Sequence, residues 1–360
     1  MKSIKKSIIC KNIKNYHINE SIIKTYQPMP GDVAIFEVLE LCSLSAIQDK
    51  GGRNCHIFEG DRIMATFGNR YASNQFEGYV PVGYHEEYEL IGKGGLVGIV
   101  KSMCSKLELR GATKLRLVGY ATDEEGKVIN TIYHHVQPTE FDPGKIRRHK
   151  TILSVGSSMD SGKTTSAAYL CRGLKAAGKK VAFIKLTGTV FNKDRMLAYD
   201  CGADIAVDFA EFGFPSTYLC SLKSLMDLYE ALLGCVVKVD PDYVVIEIAD
   251  GILQRETEML IDHEAFKSTV DHVLFSSGDS LSALHGVAAL RSKGMEPFAL
   301  SGMINTRPLL VEEVNCKLEL PLLNLEHLAS PDIVHSFERK AVNHAIKSSM
   351  GMERHVLDVA

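Results

Sequence analysis

The chain has 360 residues, 45% hydrophobic and 24% charged, with a formal net charge of −3. One hydrophobic core rarely extends that far, so two domains are expected. The slightly acidic balance argues against the basic footprint of a nucleic-acid binder, and no apolar run reaches the ~20 residues of a membrane span, so neither partner is expected. None of the nine cysteines forms a Cys-x-x-Cys pair, which removes the usual zinc and redox spacings. With an odd cysteine count and no secretion leader, free thiols and a cytoplasmic location are expected.

In chain order, Lys2, Lys5, Lys6, Lys11 and Lys14 read as a frayed, solvated tail. Runs 33–38, 55–58 and 62–67 are rich in β-branched and aromatic residues, and Gly31-Asp32 and Gly60-Asp61 punctuate them as turns. Segment 68–79 is dense in polar and aromatic groups. It reads as a structured loop or as a contact to substrate or to the second domain. Gly92-Lys93-Gly94-Gly95 reads as a flexible turn. The spacing predicts a helix over 96–106, then a hairpin of 114–120 and 128–133 around Asp123-Glu124-Glu125-Gly126. His134-His135 reads as structural, because adjacent strand residues face opposite ways and no third ligand is spaced to help. Residues 1–145 are therefore expected to form a smaller, mainly-β domain, a barrel or a sandwich, of unassigned role.

Pro143-Gly144 and the basic run Lys145 to Lys150 mark a linker. After it, apolar strands are expected at 151–155, 181–186, 243–248, 270–275, 297–304 and 320–325. A helix spans 163–177 and ends at Gly178, which tolerates a left-handed stop. Short, continuously apolar strands between helices indicate an α/β fold, a doubly wound, mostly parallel sheet over 146–360.

The first of these strands runs into Gly156-Ser157-Ser158-Met159-Asp160-Ser161-Gly162-Lys163-Thr164-Thr165, and a helix leaves it. That is the setting of a phosphate-binding loop of the P-loop NTPase type. Gly162 lets the backbone approach phosphate, and successive amides at a helix start supply positive potential. Lys163 adds charge for the β and γ phosphates, and the Thr164 hydroxyl can ligate magnesium. The usual spacing would put the first glycine at Ser157; Gly156 lies one residue further back. A nucleoside triphosphate with Mg2+ is the expected ligand.

The longer loop resembles that of dethiobiotin synthetase, and the resemblance runs through about residues 151–330. In that family a lysine ending the second strand contacts phosphate and substrate, which corresponds to Lys185 in Lys185-Leu186-Thr187-Gly188. An Asn-x-Asp, whose aspartate binds magnesium, corresponds to Asn192-Lys193-Asp194. The family's Glu-Gly-Ala-Gly corresponds to Glu247-Ile248-Ala249-Asp250, and an adenine-recognising asparagine to Asn305 in Gly302-Met303-Ile304-Asn305. Segment 281–294, carrying His285, is similar to the helix before that last strand. His285 itself reads as a packing or surface histidine. Two family features are changed: Glu-Gly-Ala-Gly has become Glu-Ile-Ala-Asp, and the proline after the strand-end lysine is Leu186.

The resemblance implies ATP and Mg2+ as cofactors, and a metal held by Thr164, Asp194 and Glu247. It implies catalysis by Lys163, Lys185 and Glu247, a homodimer, and a synthetase or ligase activating a small anionic substrate. The molybdenum-cofactor dinucleotide adaptor is similar at the same distance. It implies the alternative, a nucleotide-dependent adaptor or switch whose N-terminal domain binds a partner.

Independently of any family, ligands of doubly wound sheets sit beyond the strands' carboxyl ends, where Gly162, Lys185, Glu247 and Asn305 fall. A carboxylate after Val244-Val245-Ile246 is costly unless paired or metal-bound. Plainer roles exist for each. Glu247 can cap a helix, Lys185 can lie on the surface, Asp194 can be a first-turn acid, and Asn305 can be a turn residue before Arg307-Pro308. Asn305-Thr306-Arg307-Pro308 has no aspartate to pair with guanine, so ATP is expected over GTP.

Overall fold

The computed structural model describes residues 3–134 and 139–337. In chain order the first part comprises β1 (Ile4–Lys6), β2 (His17–Asn19), β3 (Val33–Glu40), β4 (Ala46–Gln48), β5 (Asn54–His56), β6 (Arg62–Phe67), β7 (Phe76–Tyr79), β8 (Tyr88–Gly92), β9 (Leu96–Met103), the one-turn α1 (Ser105–Glu108), β10 (Thr113–Thr122) and α2 (Thr131–His134). Five of these strands close on themselves. β6 pairs β3, β3 pairs β10, β10 pairs β8, β8 pairs β9, and a short parallel pairing of Thr66 with Leu96 and Phe67 with Val97 joins β9 back to β6. The result is a barrel with no free edge along that ring.

Side chains alternate along each strand, so every second residue points inward. Ala34, Phe36 and Val38 of β3 and Ile63, Ala65 and Phe67 of β6 enter the barrel core. There, Phe36 and Phe67 meet edge to face with centroids 5.3 Å apart. Val33, Ile35 and Met64 face the other way. They join an apolar cluster that also contains Leu153, Ile184 and Ile246 of the parallel sheet. One continuous core therefore ties the barrel's outer face to the second half of the chain.

Three sequence expectations change here. Residues 96–103 form a strand, not a helix; only one helical turn follows. Val97, Ile99 and Val100 are β-branched, and the segment finds pairing partners in β6, β7 and β8 that a helix would leave empty. The second arm of the expected hairpin is reduced to single bridges at Val128 and Asn130, followed by α2. The N-terminal lysines are not a frayed tail. β1 adds to β6, Lys5 pairs with Asp61 at 2.6 Å, and Ile8, Ile9 and Cys10 are buried. Isoleucines interleaved with the lysines anchor the segment. His135 lies outside the described residues.

The second part comprises β11 (Lys150–Gly156), α3 (Lys163–Ala176), β12 (Val181–Lys185), α4 (Lys193–Asp200), β13 (Ile205–Asp208), α5 (Leu222–Val236), β14 (Tyr243–Glu247), α6 (Arg255–Asp262), α7 (Glu264–Lys267), β15 (His272–Ser276), α8 (Ser280–Ser292), β16 (Pro297–Ser301), α9 (Pro308–Asn315) and α10 (Leu325–Ala329). Its six strands run in the order β13-β12-β14-β11-β15-β16, with every pairing parallel. The apolar strands are buried on both faces, as continuous hydrophobic runs require. β13 was not expected, because a four-residue, half-exposed edge strand leaves little apolar signal. Residues 320–325 make only one bridge, Leu322 to Leu300, before α10 begins; Pro321 lacks the N–H that a paired strand needs. The molecule is thus mixed α/β, with a largely antiparallel barrel and a parallel six-stranded sheet. No helix of the described residues is long and apolar enough to cross a membrane, and the nine cysteines are free.

Candidate nucleotide-binding site

β11 lies centrally in the parallel sheet and delivers its chain into α3 through residues 156–162. Gly162 caps α3 with φ +95°, a backbone that side-chain-bearing residues rarely adopt. The loop is also clasped from outside. A Cβ on Gly251, in the turn after β14, would stand 2.3 Å from the Ser157 carbonyl oxygen. One on Gly302, after β16, would stand 2.3 Å from that of Ser161. Gly156 is as tightly placed, since a Cβ there would meet Ser161 Oγ at 2.4 Å. The position one residue back from the usual spacing is thus where this loop needs its first glycine.

These contacts give a test of how rigidly the turn holds the loop. Gly251→Ala must displace Ser157 or the turn itself, and overpacking of this kind costs about 1–3 kcal/mol. The expected result is a loss of about tenfold or more in Mg-nucleotide affinity by calorimetry, equivalent to about 1.4 kcal/mol. Unchanged affinity would show that the turn yields and the loop does not.

Lys163 is 5% exposed. Its Nζ donates to the Ser158 carbonyl at 2.6 Å and reaches Ser161 Oγ at 3.4 Å. Burial pushes its pKa down, against the opposing pull of Glu247 and Asp250. Thr164 Oγ1 donates to Glu247 Oε1 at 2.7 Å. Glu247 is 1% exposed, and its Oε2 is buried with no hydrogen-bond partner among the described residues. Lys185, at the end of β12, pairs with Asp194 and lies 3.6 Å from Glu247 Oε1. Burial opposes its charge, but Glu247, Asp194 and Asp208 more than offset that and hold its pKa above the ordinary lysine value.

Lys163, Thr164, Lys185, Asp194 and Glu247 therefore meet in one place, with Met159 and Asp160 beside them. The strand–loop–helix geometry and this set of side chains are those a phosphate-binding loop requires. Asp194 pairs with Lys185, whose Nζ also lies 3.6 Å from Glu247 Oε1, because the first turn of α4 brings Asp194 against the end of β12. Ser157, Ser158 and Thr165 stay on the loop and its helix, with Ser158 supplying the carbonyl that holds Lys163. Asn305 lies apart from the cleft lining, in the 3-10 turn Met303–Thr306, where its Nδ2 donates to the Leu323 carbonyl at 3.0 Å. His285 is exposed on α8.

The cleft in front of Lys163 has a volume of about 880 Å³, and its opposite wall belongs to the barrel half. Segment 68–79 supplies Arg70, Tyr71 and Gln75, and the turn between β8 and β9 supplies Lys93. Arg70 is buried. It donates to the Ile91 carbonyl and, at 2.7 Å, to Gln75 Oε1. Burial pulls its pKa down to about 10, with Asp250 acting against that. Asn74 Nδ2 donates to Asp160 Oδ2 at 2.7 Å, a direct bond from this segment to the phosphate loop. Arg70 carried no motif, Lys93 lay in the glycine-rich run read as a flexible turn, and Asp250 entered only as a departure from a family pattern. The polar and aromatic density of 68–79 was the signal available for Arg70.

No protein-family model matches the chain, and no curated protein sequence matches it. Among solved structures, the chain is similar to the signal recognition particle receptor FtsY from Elizabethkingia anophelis in complex with GDP. That match has 18% identity and a TM-score of 0.35, and covers 54% of this chain and 64% of the receptor. It is also similar to chloroplast FtsY from Physcomitrella patens, with 20% identity and a TM-score of 0.35, over 53% of this chain and 62% of that one. Both matches span less than two thirds of the receptor's length.

Proposed function

We propose that this chain transfers the γ-phosphoryl group of a magnesium-bound nucleoside triphosphate to a small acidic molecule held between the phosphate loop and the barrel. The observation that carries this reading is the two-walled cleft. Lys163, Thr164, Lys185 and Glu247 form one side, Arg70 and Lys93 stand on the other, and the space is about 880 Å³. A cavity of that size suits a nucleotide's terminal phosphates with a small molecule beside them. Phosphoryl transfer needs mainly positioning and positive charge around the moving group. Lys163 and Lys185 supply that charge, and Arg70 and Lys93 suit an acidic acceptor.

Magnesium fits the residues present. Glu247 Oε2 has no partner among the described residues, and Oε1 of the same carboxylate accepts from the Thr164 hydroxyl, so both side chains offer hard oxygen donors of the kind the ion prefers. When bound, it would neutralise phosphate charge. Lys185, ending β12 beside Asp194 and Glu247, supports placing positive charge next to the transferring group. The sequence after β16, which lacks a guanine-pairing aspartate, favours ATP.

A second reading, a nucleotide-dependent switch, is favoured by the Asn74–Asp160 hydrogen bond, which links the barrel half to the loop. A screen of small acids and amines for stimulated ATP and GTP turnover separates the two. Stimulation of about tenfold or more by a small acid supports phosphoryl transfer to that acid, a change of about 1.4 kcal/mol. A slow basal rate that no compound changes supports the switch.

A further inference from the structure

Asp250 has φ +60°, a left-handed backbone unusual for a residue with a side chain. Its neighbours hold it there. The Ala249 amide donates to Thr187 Oγ1 at 2.9 Å, the Ala249 carbonyl accepts from Thr257 Oγ1 at 3.1 Å, and the Ile252 amide donates to the Gly156 carbonyl at 2.9 Å. Gly251 is pressed onto Ser157. Asp250 is therefore fixed relative to the phosphate loop, and its side chain lines the cleft with Lys163. No described residue donates a hydrogen bond to its carboxylate. The charges facing it are Lys163, Lys185 and Arg70, with Glu256 of the same sign. A strained, part-buried carboxylate with cations around it and no donor among the described residues serves no evident packing purpose. Strain of this kind gathers at functional sites.

The geometry points to Asp250 as the base that takes a proton from the group attacking the γ-phosphoryl, so that the acceptor presents an O–H or N–H there, water included. This rests on the phosphoryl-transfer reading above and narrows its substrate to a small acid that also carries a hydroxyl or amine. The step balances. The acceptor's lone pair forms a bond to the γ phosphorus, and the bond from phosphorus to the β–γ bridging oxygen breaks. Its electron pair leaves with the nucleoside diphosphate, and the acceptor's proton passes to the Asp250 carboxylate. An ionised carboxylate acceptor would bring no proton and would be repelled by Asp250. Burial pushes the Asp250 pKa up, with Lys163, Lys185 and Arg70 acting against it, which brings it towards the range of a working base.

The test uses water as the acceptor. Hydrolysis of Mg-ATP and Mg-GTP by the full chain is compared with Asp250→Asn. Asparagine tolerates a left-handed backbone, so the turn should survive. Should that variant not fold, as judged by thermal unfolding, Asp250→Gly removes the base and accepts the same φ. The expected result is a fall in kcat of about a hundredfold, the lower range of general-base effects, with nucleotide affinity within about threefold of the parent. A fall of less than about tenfold overturns the assignment. So does a parallel loss of affinity, which would place Asp250 in nucleotide binding, and so does a parent that binds nucleotide without hydrolysing it. A parent that binds no nucleotide would instead remove the phosphoryl-transfer reading, and the inference with it.

Discussion

Replacing Lys163 by alanine should remove measurable nucleotide binding while leaving the fold intact. The ammonium sits against the Ser158 carbonyl and Ser161 Oγ, inside the curve of the loop. A triphosphate entering there offers oxygens that take the place of that carbonyl. Removing one partner of a desolvated charge pair costs about 2–5 kcal/mol, roughly thirtyfold to several thousandfold in affinity. The stability argument runs the other way. Burial depresses the Lys163 pKa, so the folded state disfavours its charge, and deleting it relieves that cost. The structure buries Lys163, and the prediction becomes sharper for that reason. Calorimetric titration with Mg-ATP and Mg-GTP checks it, alongside thermal unfolding. Unchanged affinity in a folded variant would remove the phosphate-loop assignment.

What the sequence disclosed follows from locality. The loop, its entering strand and its leaving helix are contiguous, so their chemistry and context can be read together. Glu247 was legible because a lone carboxylate ending Tyr243-Val244-Val245-Ile246 is physically conspicuous. Residues 96–103 were not, because Leu96, Val97, Val100 and Met103 fit a helical spacing as well as a strand. Only pairing with distant β6, β7 and β8 decides the matter. The opposite wall of the cleft was legible only in part: the polar and aromatic density of 68–79 suggested a contact to substrate or to the second domain as one of two readings, but not what it would touch. Asn74 and Asp160 are 86 positions apart, and nothing local to either announces their contact. Asp250 appeared in sequence only as a departure from a family pattern. Its meaning depends on the turn that presses Gly251 onto the loop.

Exchanging Glu247 for glutamine tests the division of labour between binding and turnover. The substitution keeps shape, and the amide oxygen can still accept from Thr164 Oγ1, now found 2.7 Å from Glu247 Oε1. Two things are lost. The buried Oε2, which has no partner among the described residues, becomes an NH2 that cannot serve a cation. The negative charge 3.6 Å from Lys185 also disappears, leaving Asp194 as that lysine's close partner. In the ground state the triphosphate is still gripped by Lys163 and the loop amides, so affinity should change by less than about tenfold, or about 1.4 kcal/mol. As the phosphoryl group moves, its charge must be held by groups already in place, and removing one such electrostatic element costs about a hundredfold to a thousandfold in kcat. A large drop in kcat at nearly constant affinity is the signature of an interaction made chiefly in the transition state. Steady-state hydrolysis and calorimetry with magnesium present measure the two quantities separately. If the variant turns over at the parent rate, Glu247 is a strand-end acid serving the fold alone, and Thr164 has another partner for its metal.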